Sequence, residues 1–181
     1  YSTVLIGDQC WFSENCRYLP EVSPSSAGSE TSPYYYVYGY EGSTVSEAKA
    51  TSNYATYGVL YNWPAVMTEG ICPSGWHIPS DGEFTELIDF LGGEVAGGKM
   101  KDDVQWDGSN SSGWTGLPGG YRHGSNGNFY GAGYWFGRWW TSTPDDSNAW
   151  YRALDDDTES VGRGDVDQRY GFSVRCVRDA E

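Results

Sequence analysis

Few residues in this chain have the types and spacing that catalysis requires. The 181 residues include two histidines, His77 and His123. A nucleophile elbow, a dinucleotide-binding glycine motif, a phosphate-binding loop and a zinc-protease motif are all absent from the sequence. His77 lies just before a helix start, where we expect a packed, hydrogen-bonded histidine, and His123 lies in a glycine-rich loop that we expect at the surface. The sequence therefore predicts no catalytic residues and a protein that is not an enzyme.

Carboxylates cluster in two places near the end of the chain. Three consecutive aspartates, Asp155, Asp156 and Asp157, form one group with Glu159, and Asp165 and Asp167 form the other. Oxygen ligands of this kind suit calcium, but the glycine that an EF-hand loop needs at its sixth position is missing. We interpret both groups as a solvated acidic face and keep calcium as the alternative. Otherwise the sequence predicts no metal site and no cofactor.

Aromatic side chains are the more informative group. Tryptophan and tyrosine bury a large area, and they also form stacking platforms for sugar rings and bases. Trp139 and Trp140 are adjacent, so strand geometry places them on opposite faces, and we expect both to belong to the scaffold. For Trp135 and Phe136 we keep two interpretations, packing in the core and contact with a ligand. The aromatic cluster thus marks both a core and a candidate binding surface.

The same alternation continues downstream in a stretch that reads as a strand. One face carries Trp150, Arg152 and Leu154, and we expect it to pack inward because it holds the larger apolar side chains. Tyr151 and Ala153 lie on the other face and are predicted to point outward. This second face is the one that we expect to meet a ligand.

Charge and hydropathy exclude several classes of partner. The chain has 11 Lys and Arg against 25 Asp and Glu, a formal net charge of −14. Phosphate backbones and anionic lipid would repel such a chain, and no apolar run approaches the roughly 18 residues of a membrane-spanning helix. We therefore expect no nucleic-acid partner and no direct insertion into a membrane.

The four cysteines, Cys10, Cys16, Cys72 and Cys176, form an even set with three connectivities. A C-x-x-C spacing is absent and histidines are few, so zinc is poorly supported. Low lysine content with abundant Trp, Tyr and Gly favours an oxidising compartment and two disulfides. A local Cys10–Cys16 loop would leave Cys72 to reach Cys176, but the residues alone do not choose among the connectivities.

The elements that position these side chains combine helices in the first half with strands in the second. We expect residues 1–181 to form a single α+β domain, opening with a hairpin over residues 4–12. Helical spacing predicts one helix over residues 46–63. A capping box of Ser80 and Glu83 predicts a second, which ends at Gly92. Beyond Gly97 the pattern indicates short strands and no further helix.

Five motifs, in order, cover nearly the whole chain from about residue 5 to residue 179. They are Ile6-Gly7-Asp8-Gln9 with Trp11, then residues 57–63, 72–79, 117–122 and 171–177. In these motifs the chain resembles the Fibrobacter succinogenes major paralogous domain family. The resemblance implies a C-type lectin-like fold of the formylglycine-generating-enzyme branch. It also implies an extracellular or surface-attached bacterial or phage protein, whether secreted, a lipoprotein or on a virion.

The resemblance also implies the cysteine pairing. The family motifs contain both Cys72 and Cys176, so we expect these two to be bonded. Cys10 and Cys16 are then expected to form the second, local bridge, which would leave no free thiol.

Some relatives in this family are targets of diversity-generating retroelements, which implies a constant fold with a variable surface at about residues 131–170. Aromatic anchors with adaptable polar neighbours are typical of binding surfaces. The expected ligand-binding residues are Tyr134, Trp135, Phe136, Arg138, Asp146, Asn148, Tyr151, Ala153, Asp155, Asp157, Ser160, Gly162, Gly164, Asp167 and Tyr170.

The first functional hypothesis is therefore a surface-displayed module for ligand binding, receptor binding or adhesion. Its partner would be a protein or a glycan on a cell surface. One alternative is an enzyme of the formylglycine-generating type, which requires free, metal-binding cysteines. The other is a structural subunit of a surface layer or filament.

Overall fold

Short β-strands form four small antiparallel sheets in the computed structural model, which describes residues 1–180. The strands are β1 (Thr3–Ile6), β2 (Gln9–Phe12), β3 (Tyr35–Tyr36), β4 (Leu60–Tyr61), β5 (Tyr121–Arg122), β6 (Phe129–Tyr130), β7 (Phe136–Asp145), β8 (Asn148–Asp155), β9 (Gly162–Asp167) and β10 (Val177–Asp179). Their order in the sheets is β1-β2-β10, β3-β4, β5-β6 and β7-β8-β9. The longest strands, β7 and β8, form a hairpin, and β9 pairs with the far edge of β8.

Short helices complete the structure. They are α1 (Val45–Lys49), α2 (Ser52–Tyr57), α3 (Trp63–Val66), α4 (Asp81–Phe90), a 3-10 helix (Gly93–Val95) and α5 (Ala96–Met100). The longest, α4, has 10 residues, and within residues 1–180 no helix has the length and apolarity that a bilayer crossing requires. The expected α+β class is confirmed, but with more and shorter helices than the two that the sequence predicts.

The predicted helix over residues 46–63 is wrong, because separate short elements replace it. α1 ends at Lys49, and Thr51 caps α2 by accepting a hydrogen bond from the backbone N–H of Tyr54. Gly58 follows α2 with a φ of 76°, a conformation that favours glycine. The chain then extends into β4, whose two residues are buried. Core burial therefore outweighs the helical spacing of the tyrosines.

The predicted helix after Ser80 is confirmed as α4. The Ser80 hydroxyl accepts a hydrogen bond from the Glu83 N–H (3.2 Å), and the Glu83 carboxylate accepts one from the Ser80 N–H (2.8 Å). The prediction of no helix beyond Gly97 is wrong, because this glycine lies inside α5. A Cβ atom on Gly97 would come within 2.6 Å of the Glu159 carbonyl oxygen. Glycine here permits close packing instead of ending a helix.

The two ends of the chain share one sheet. The predicted opening hairpin is confirmed by β1 and β2, and β10 pairs with the other edge of β2. Val4 and Val177 are both directly opposite Trp11, which is fully buried. The last motif of the chain is therefore anchored beside the first.

The hairpin of β7 and β8 separates two hydrophobic clusters. Trp140 and Ala149 pack in one of them, while Trp139 and Leu154 pack with Phe84 of α4 in the other. Successive side chains of a strand point to opposite faces, which explains why neighbouring tryptophans serve different clusters. The prediction that both tryptophans belong to the scaffold is confirmed, since they are 1% and 0% exposed.

One cysteine pair is confirmed and the other is wrong. Cys72 and Cys176 form a disulfide, whereas Cys10 and Cys16 are free thiols. Cys10 lies in β2 opposite Arg178, whereas the Cys16 N–H, beyond the end of β2, donates to the carbonyl of Val174. The two cysteines are therefore anchored at different points along the last segment of the chain, and a disulfide needs Cα atoms within about 7 Å of each other.

Candidate functional site

A pocket of about 210 Å³ opens on one face of the β7-β8-β9 sheet. We call it the aromatic pocket, and its lining residues are Tyr121, Arg138, Tyr151, Val166, Tyr170 and Phe172. Arg138, Tyr151 and Tyr170 are among the predicted ligand-binding residues. The structure brings these three together although they come from separate segments of the chain.

Backbone pairing carries the end of the chain to this face. Arg122 of β5 pairs with Gly171, and Trp139 of β7 pairs with Ser173. Phe172 lies between the two bridges and is 3% exposed. Its ring is thereby fixed as the floor of the aromatic pocket.

Three tyrosines surround this floor. The ring centroids of Tyr151, Tyr170 and Tyr121 lie 5.0, 5.7 and 6.1 Å from that of Phe172. These separations lie within the range of stabilising aromatic pairs. Burial raises the pKa values of Tyr121 and Tyr170 above their usual value, so both phenols are neutral at physiological pH.

A histidine orients one wall of the aromatic pocket. His123 Nε2 and Tyr170 Oη are hydrogen-bonded at 2.8 Å, and the two ring centroids are 4.7 Å apart. His123 is therefore half-buried and in contact with the pocket, not simply a surface residue. His77, predicted to be packed, is hydrogen-bonded to Glu83 (2.5 Å), but its side chain is 51% exposed.

Arg138 contributes the one charged side chain that lines the aromatic pocket. Its Nη1 lies 2.6 Å from Asp155 Oδ1 and donates hydrogen bonds to the carbonyls of Gly137 (3.1 Å) and Leu154 (3.2 Å). The guanidinium carbon lies 4.9 Å from the ring centre of half-buried Phe136. Because Asp155 balances its charge, Arg138 presents hydrogen-bond donors without an unpaired positive charge.

Two other predicted contact positions act through their small size. Gly164 pairs with Tyr151, and a Cβ atom on Gly164 would come within 3.0 Å of the Tyr151 phenol oxygen. The glycine therefore makes room for the tyrosine ring. Ala153 is 5% exposed, so the prediction that it points outward is wrong. Its methyl group is too short to project beyond the side chain of its strand partner Arg138.

The remaining predicted residues lie outside the aromatic pocket. Tyr134 and Trp135 are 59% and 53% exposed, with their ring centroids 5.0 Å apart, and Tyr134 borders a groove with Trp106 and Asp156. Trp135 is thus available to a ligand, which agrees with ligand contact and not with core packing. The others occupy the two ends of the sheet: Asp146 and Asn148 at the β7–β8 turn, and Asp157 and Ser160 in the β8–β9 connection.

Three of the five aspartates of the predicted acidic face, Asp155, Asp165 and Asp167, have protein partners. Asp165 accepts a hydrogen bond from Asn148 Nδ2 (2.8 Å), and Asp167 is paired with Arg169 (2.6 Å). In the part of the chain that the structure describes, no three His, Cys, Asp or Glu side chains are close enough together to hold a metal ion. These three aspartates therefore form contacts within the sheet and its edge.

Sequence reasoning missed four residues of the site: Tyr121, His123, Val166 and Phe172. Tyr121 and Phe172 belong to the motifs that carry the family resemblance, and neither is among the predicted ligand-binding residues. The sole signal was that both residues are aromatic and lie beside glycines.

Comparison with known proteins assigns the chain to a family. The model of the Fibrobacter succinogenes major domain matches residues 4–178, a range that includes the whole aromatic pocket and both bonded cysteines. No match is found among curated proteins or among solved structures. The chain belongs to the Fibrobacter succinogenes major domain family.

Proposed function

We propose that this chain is a surface-displayed module for ligand binding, receptor binding or adhesion, and that it uses the aromatic pocket to bind its partner. A C-type lectin-like fold of the formylglycine-generating-enzyme branch would form the scaffold. The partner would be a protein or a glycan on a cell surface, and the chain itself would be extracellular or surface-attached. The net charge of −14 supports a partner other than nucleic acid or anionic lipid.

The observation that carries this proposal is the composition of the aromatic pocket. Three tyrosine rings pack around the buried Phe172, and Arg138, whose charge is balanced by Asp155, lies beside them. Tyrosine provides rigid contact area together with a hydroxyl group, and arginine provides several donors, so both are enriched where proteins bind partners. The pocket is supported by backbone pairing on two sides, which preorganises it.

The experiment is a combined glycan and protein array. Wild type should bind a limited set of spots. Tyr151→Ala and Tyr170→Ala should reduce that signal at least tenfold, because each removes a wall of the pocket. Tyr34→Ala, a half-buried tyrosine outside the pocket, is the matched control and should bind like wild type. Binding that survives both pocket variants would contradict the proposal.

The diversified surface remains part of the proposal. Retroelement mutagenesis of asparagine codons of the AAY type at their adenines can yield Tyr, Asp, Asn, Ser, Gly, Ala, Arg or Val, among others, but never Trp, Gln, Glu or Lys. Tyr151, Gly164 and Tyr170 belong to the permitted set, whereas Trp139 and Trp140 do not and should be fixed. A reverse transcriptase beside a near-copy of the codons for residues 131–179 would support this origin. A gene neighbourhood with neither would leave a binding module that is not diversified.

The formylglycine-generating alternative has less support. The structure contains two free thiols, whereas none was expected. The number of free thiols therefore does not exclude an enzyme that uses cysteine. However, Cys10 lies half-buried in β2, and the thiol of Cys16 faces the disulfide sulfur of Cys176 at 3.5 Å. The two free thiols thus have different surroundings, and neither lines the aromatic pocket. Light scattering at high dilution would test the structural-subunit alternative, which predicts self-association.

A further inference from the structure

We infer that the aromatic pocket binds a neutral pyranose ring, which makes the partner a glycan. This inference rests on the proposed function and narrows its ligand. The volume of about 210 Å³ lies below the range of roughly 300–1,000 Å³ that is typical of sites for drug-sized ligands. The pocket therefore suits one ring of a larger partner.

The chemistry of the walls matches both surfaces of a sugar. Aromatic faces, here those of half-buried Tyr121, Tyr151 and Tyr170 above Phe172, pack against the C–H side of a pyranose. The hydroxyl groups of Tyr121 and Tyr151 make no hydrogen bond to residues 1–180. A phenol both donates and accepts, as sugar hydroxyls do. A purely apolar side chain would leave these groups without partners when it displaced water.

The electrostatics favour a neutral ring over an acidic one. Asp155 already balances Arg138 at 2.6 Å, and the hydrogen bonds of Arg138 to residues 1–180 all come from Nη1. Its remaining N–H groups can donate to sugar hydroxyls. An anionic ring would find no unpaired cation here and would be repelled by a chain with a net charge of −14.

The test is saturation-transfer NMR with the methyl pyranosides of glucose, galactose and mannose at millimolar concentration. At least one should receive saturation from wild type and from Tyr34→Ala. The transfer should be lost with Tyr151→Ala, whose folding is checked by circular dichroism. Glucuronic acid and N-acetylprolinamide serve as the acidic and peptide probes and should give weaker transfer.

Three outcomes would overturn the inference: no transfer to any neutral pyranoside, equal transfer with Tyr151→Ala, or stronger transfer to glucuronic acid or the peptide probe. These outcomes do not decide whether the proposed function is right. If the array shows Tyr151-dependent binding to a protein while the pyranosides fail, the sugar inference is wrong and the binding module stands.

A second, independent observation concerns three cysteines. Cys16 Sγ lies 3.5 Å from Cys176 Sγ, which is bonded to Cys72. Cys16 and Cys176 are fully buried, whereas Cys72 is half-buried and lines a groove of about 480 Å³ with Trp76 and Met67. Cys176 therefore has two sulfur partners within reach, one toward the core and one toward the surface.

We infer that the Cys72–Cys176 disulfide exchanges with a Cys16–Cys176 disulfide. The Cys16 thiol loses its proton to solvent, and its sulfur attacks Cys176 Sγ. The Cys16–Cys176 bond forms as the Cys176–Cys72 bond breaks, and the departing Cys72 thiolate takes up a proton. Because one disulfide replaces another, no external oxidant or reductant is needed.

The surroundings of Cys16 make this exchange slow at neutral pH. Burial raises the pKa of the Cys16 thiol to about 12, with the Arg175 guanidinium opposing the shift and the Glu14 carboxylate adding to it. The phenols of Tyr1 and Tyr61 also face this region. Since the thiolate is the attacking species, the exchange should accelerate as pH rises.

Alkylation with iodoacetamide at pH 8.5 tests the exchange, in a Cys10→Ser background that removes the other free thiol. Peptide mapping should show alkylated Cys72 together with a Cys16–Cys176 bridge, at a rate that rises with pH. Adding Cys16→Ser should abolish alkylation of Cys72. In a Cys72→Ser variant, mild oxidation should join Cys16 to Cys176. An unlabelled Cys72, equal labelling with Cys16→Ser, or failure of the last bridge would overturn the inference.

Discussion

At the residue scale, Ser80 and Glu83 define the first turn of α4 with two reciprocal hydrogen bonds. Ser80→Ala should lower the free energy of unfolding by about 1 kcal/mol, because the half-buried N–H group of Glu83 at the helix start loses its acceptor. Urea unfolding measures the change. Ser74→Ala, an exposed serine in the preceding loop, is the control and should have almost no effect. Equal effects of the two substitutions would contradict the role of the cap.

The Glu83 carboxylate also predicts a pH dependence. Burial alone would raise its pKa, but hydrogen bonds from the Ser80 backbone and from His77 outweigh burial, so the pKa lies below 4.5. A lowered carboxyl pKa stabilises the fold above the unfolded value, and this stabilisation is lost as pH falls through the folded value. Glu83→Gln should therefore flatten the loss of stability below pH 4.5. Exposed Glu94 provides the control, Glu94→Gln, whose acid unfolding curve should match wild type.

Trp140 and Tyr151 are strand partners with different roles. Trp140 is fully buried, and its Nε1 donates to the Tyr61 carbonyl (2.8 Å). Trp140→Ala should lower the free energy of unfolding by about 3–5 kcal/mol. Tyr151→Ala should cost far less stability and instead weaken ligand binding. Thermal unfolding and array binding of both variants check this, and the reverse pattern would mean that the strand roles are assigned wrongly.

At the scale of elements, two adjacent glycines of α5 make a matched pair. A Cβ atom on Gly97 would lie 2.6 Å from the Glu159 carbonyl oxygen, whereas one on Gly98 would meet only Glu159 side-chain atoms at 3.5 Å or more. Gly97→Ala should destabilise by about 1–3 kcal/mol through overpacking. Gly98→Ala should be neutral or stabilising, because alanine favours the helix. Similar melting temperatures for the two variants would contradict the close packing of α5 on this loop.

The start of α4 could be predicted from residues that are close in sequence. The prediction of one helix over residues 46–63 was wrong because contacts with distant residues determine that segment. The caps of α4 are made by neighbours in sequence, so Ser80 and Glu83 suffice to locate its start. The tyrosines after Ser52 have helical spacing, but β4 must pair with β3, and the Leu60 and Tyr61 side chains are buried there. Pairing with a residue 24 positions earlier, as between Leu60 and Tyr36, carries no local signal.

Strand alternation was similarly informative but incomplete. It placed Trp139, Trp140 and Leu154 correctly in the core, because large apolar side chains show which way a strand faces. It failed for Ala153, which shares the face of Tyr151 but is buried. The exposure of a small side chain depends on the length of the neighbouring side chains, here that of Arg138. The alternation of residues along one strand carries no information about those neighbours.

At the scale of the whole molecule, the disulfide joins the middle of the chain to its last motif. Cys72 and Cys176 are 104 residues apart, a loop for which the chain-entropy model gives roughly 4–5 kcal/mol of stabilisation. Cys176→Ala should lower the free energy of unfolding in urea by this amount, since it removes the bond to Cys72 and the contact with Cys16. Cys10→Ala is the control and should cost much less. A loss of about 1 kcal/mol or less for Cys176→Ala would contradict the stabilising role of the bridge.

About half of the binding site could be predicted because it lies on contiguous strands. Arg138, Tyr151 and Tyr170 stood out as polar and aromatic residues in loops and strand faces. Tyr121 and Phe172 did not, because their position depends on bridges between segments about 50 residues apart, such as Arg122 with Gly171. Only the assembled molecule shows that these motif residues serve as pocket walls as well as scaffold.

The most direct test of the central claim is amide chemical-shift mapping with the strongest ligand from the array. We predict that the largest shifts fall on Tyr121, Tyr151, Tyr170 and Phe172, around the aromatic pocket, and that they saturate with added ligand. Shifts concentrated instead at the groove beside Tyr134, or around Trp76 and Met67, would place the binding site elsewhere and contradict the account.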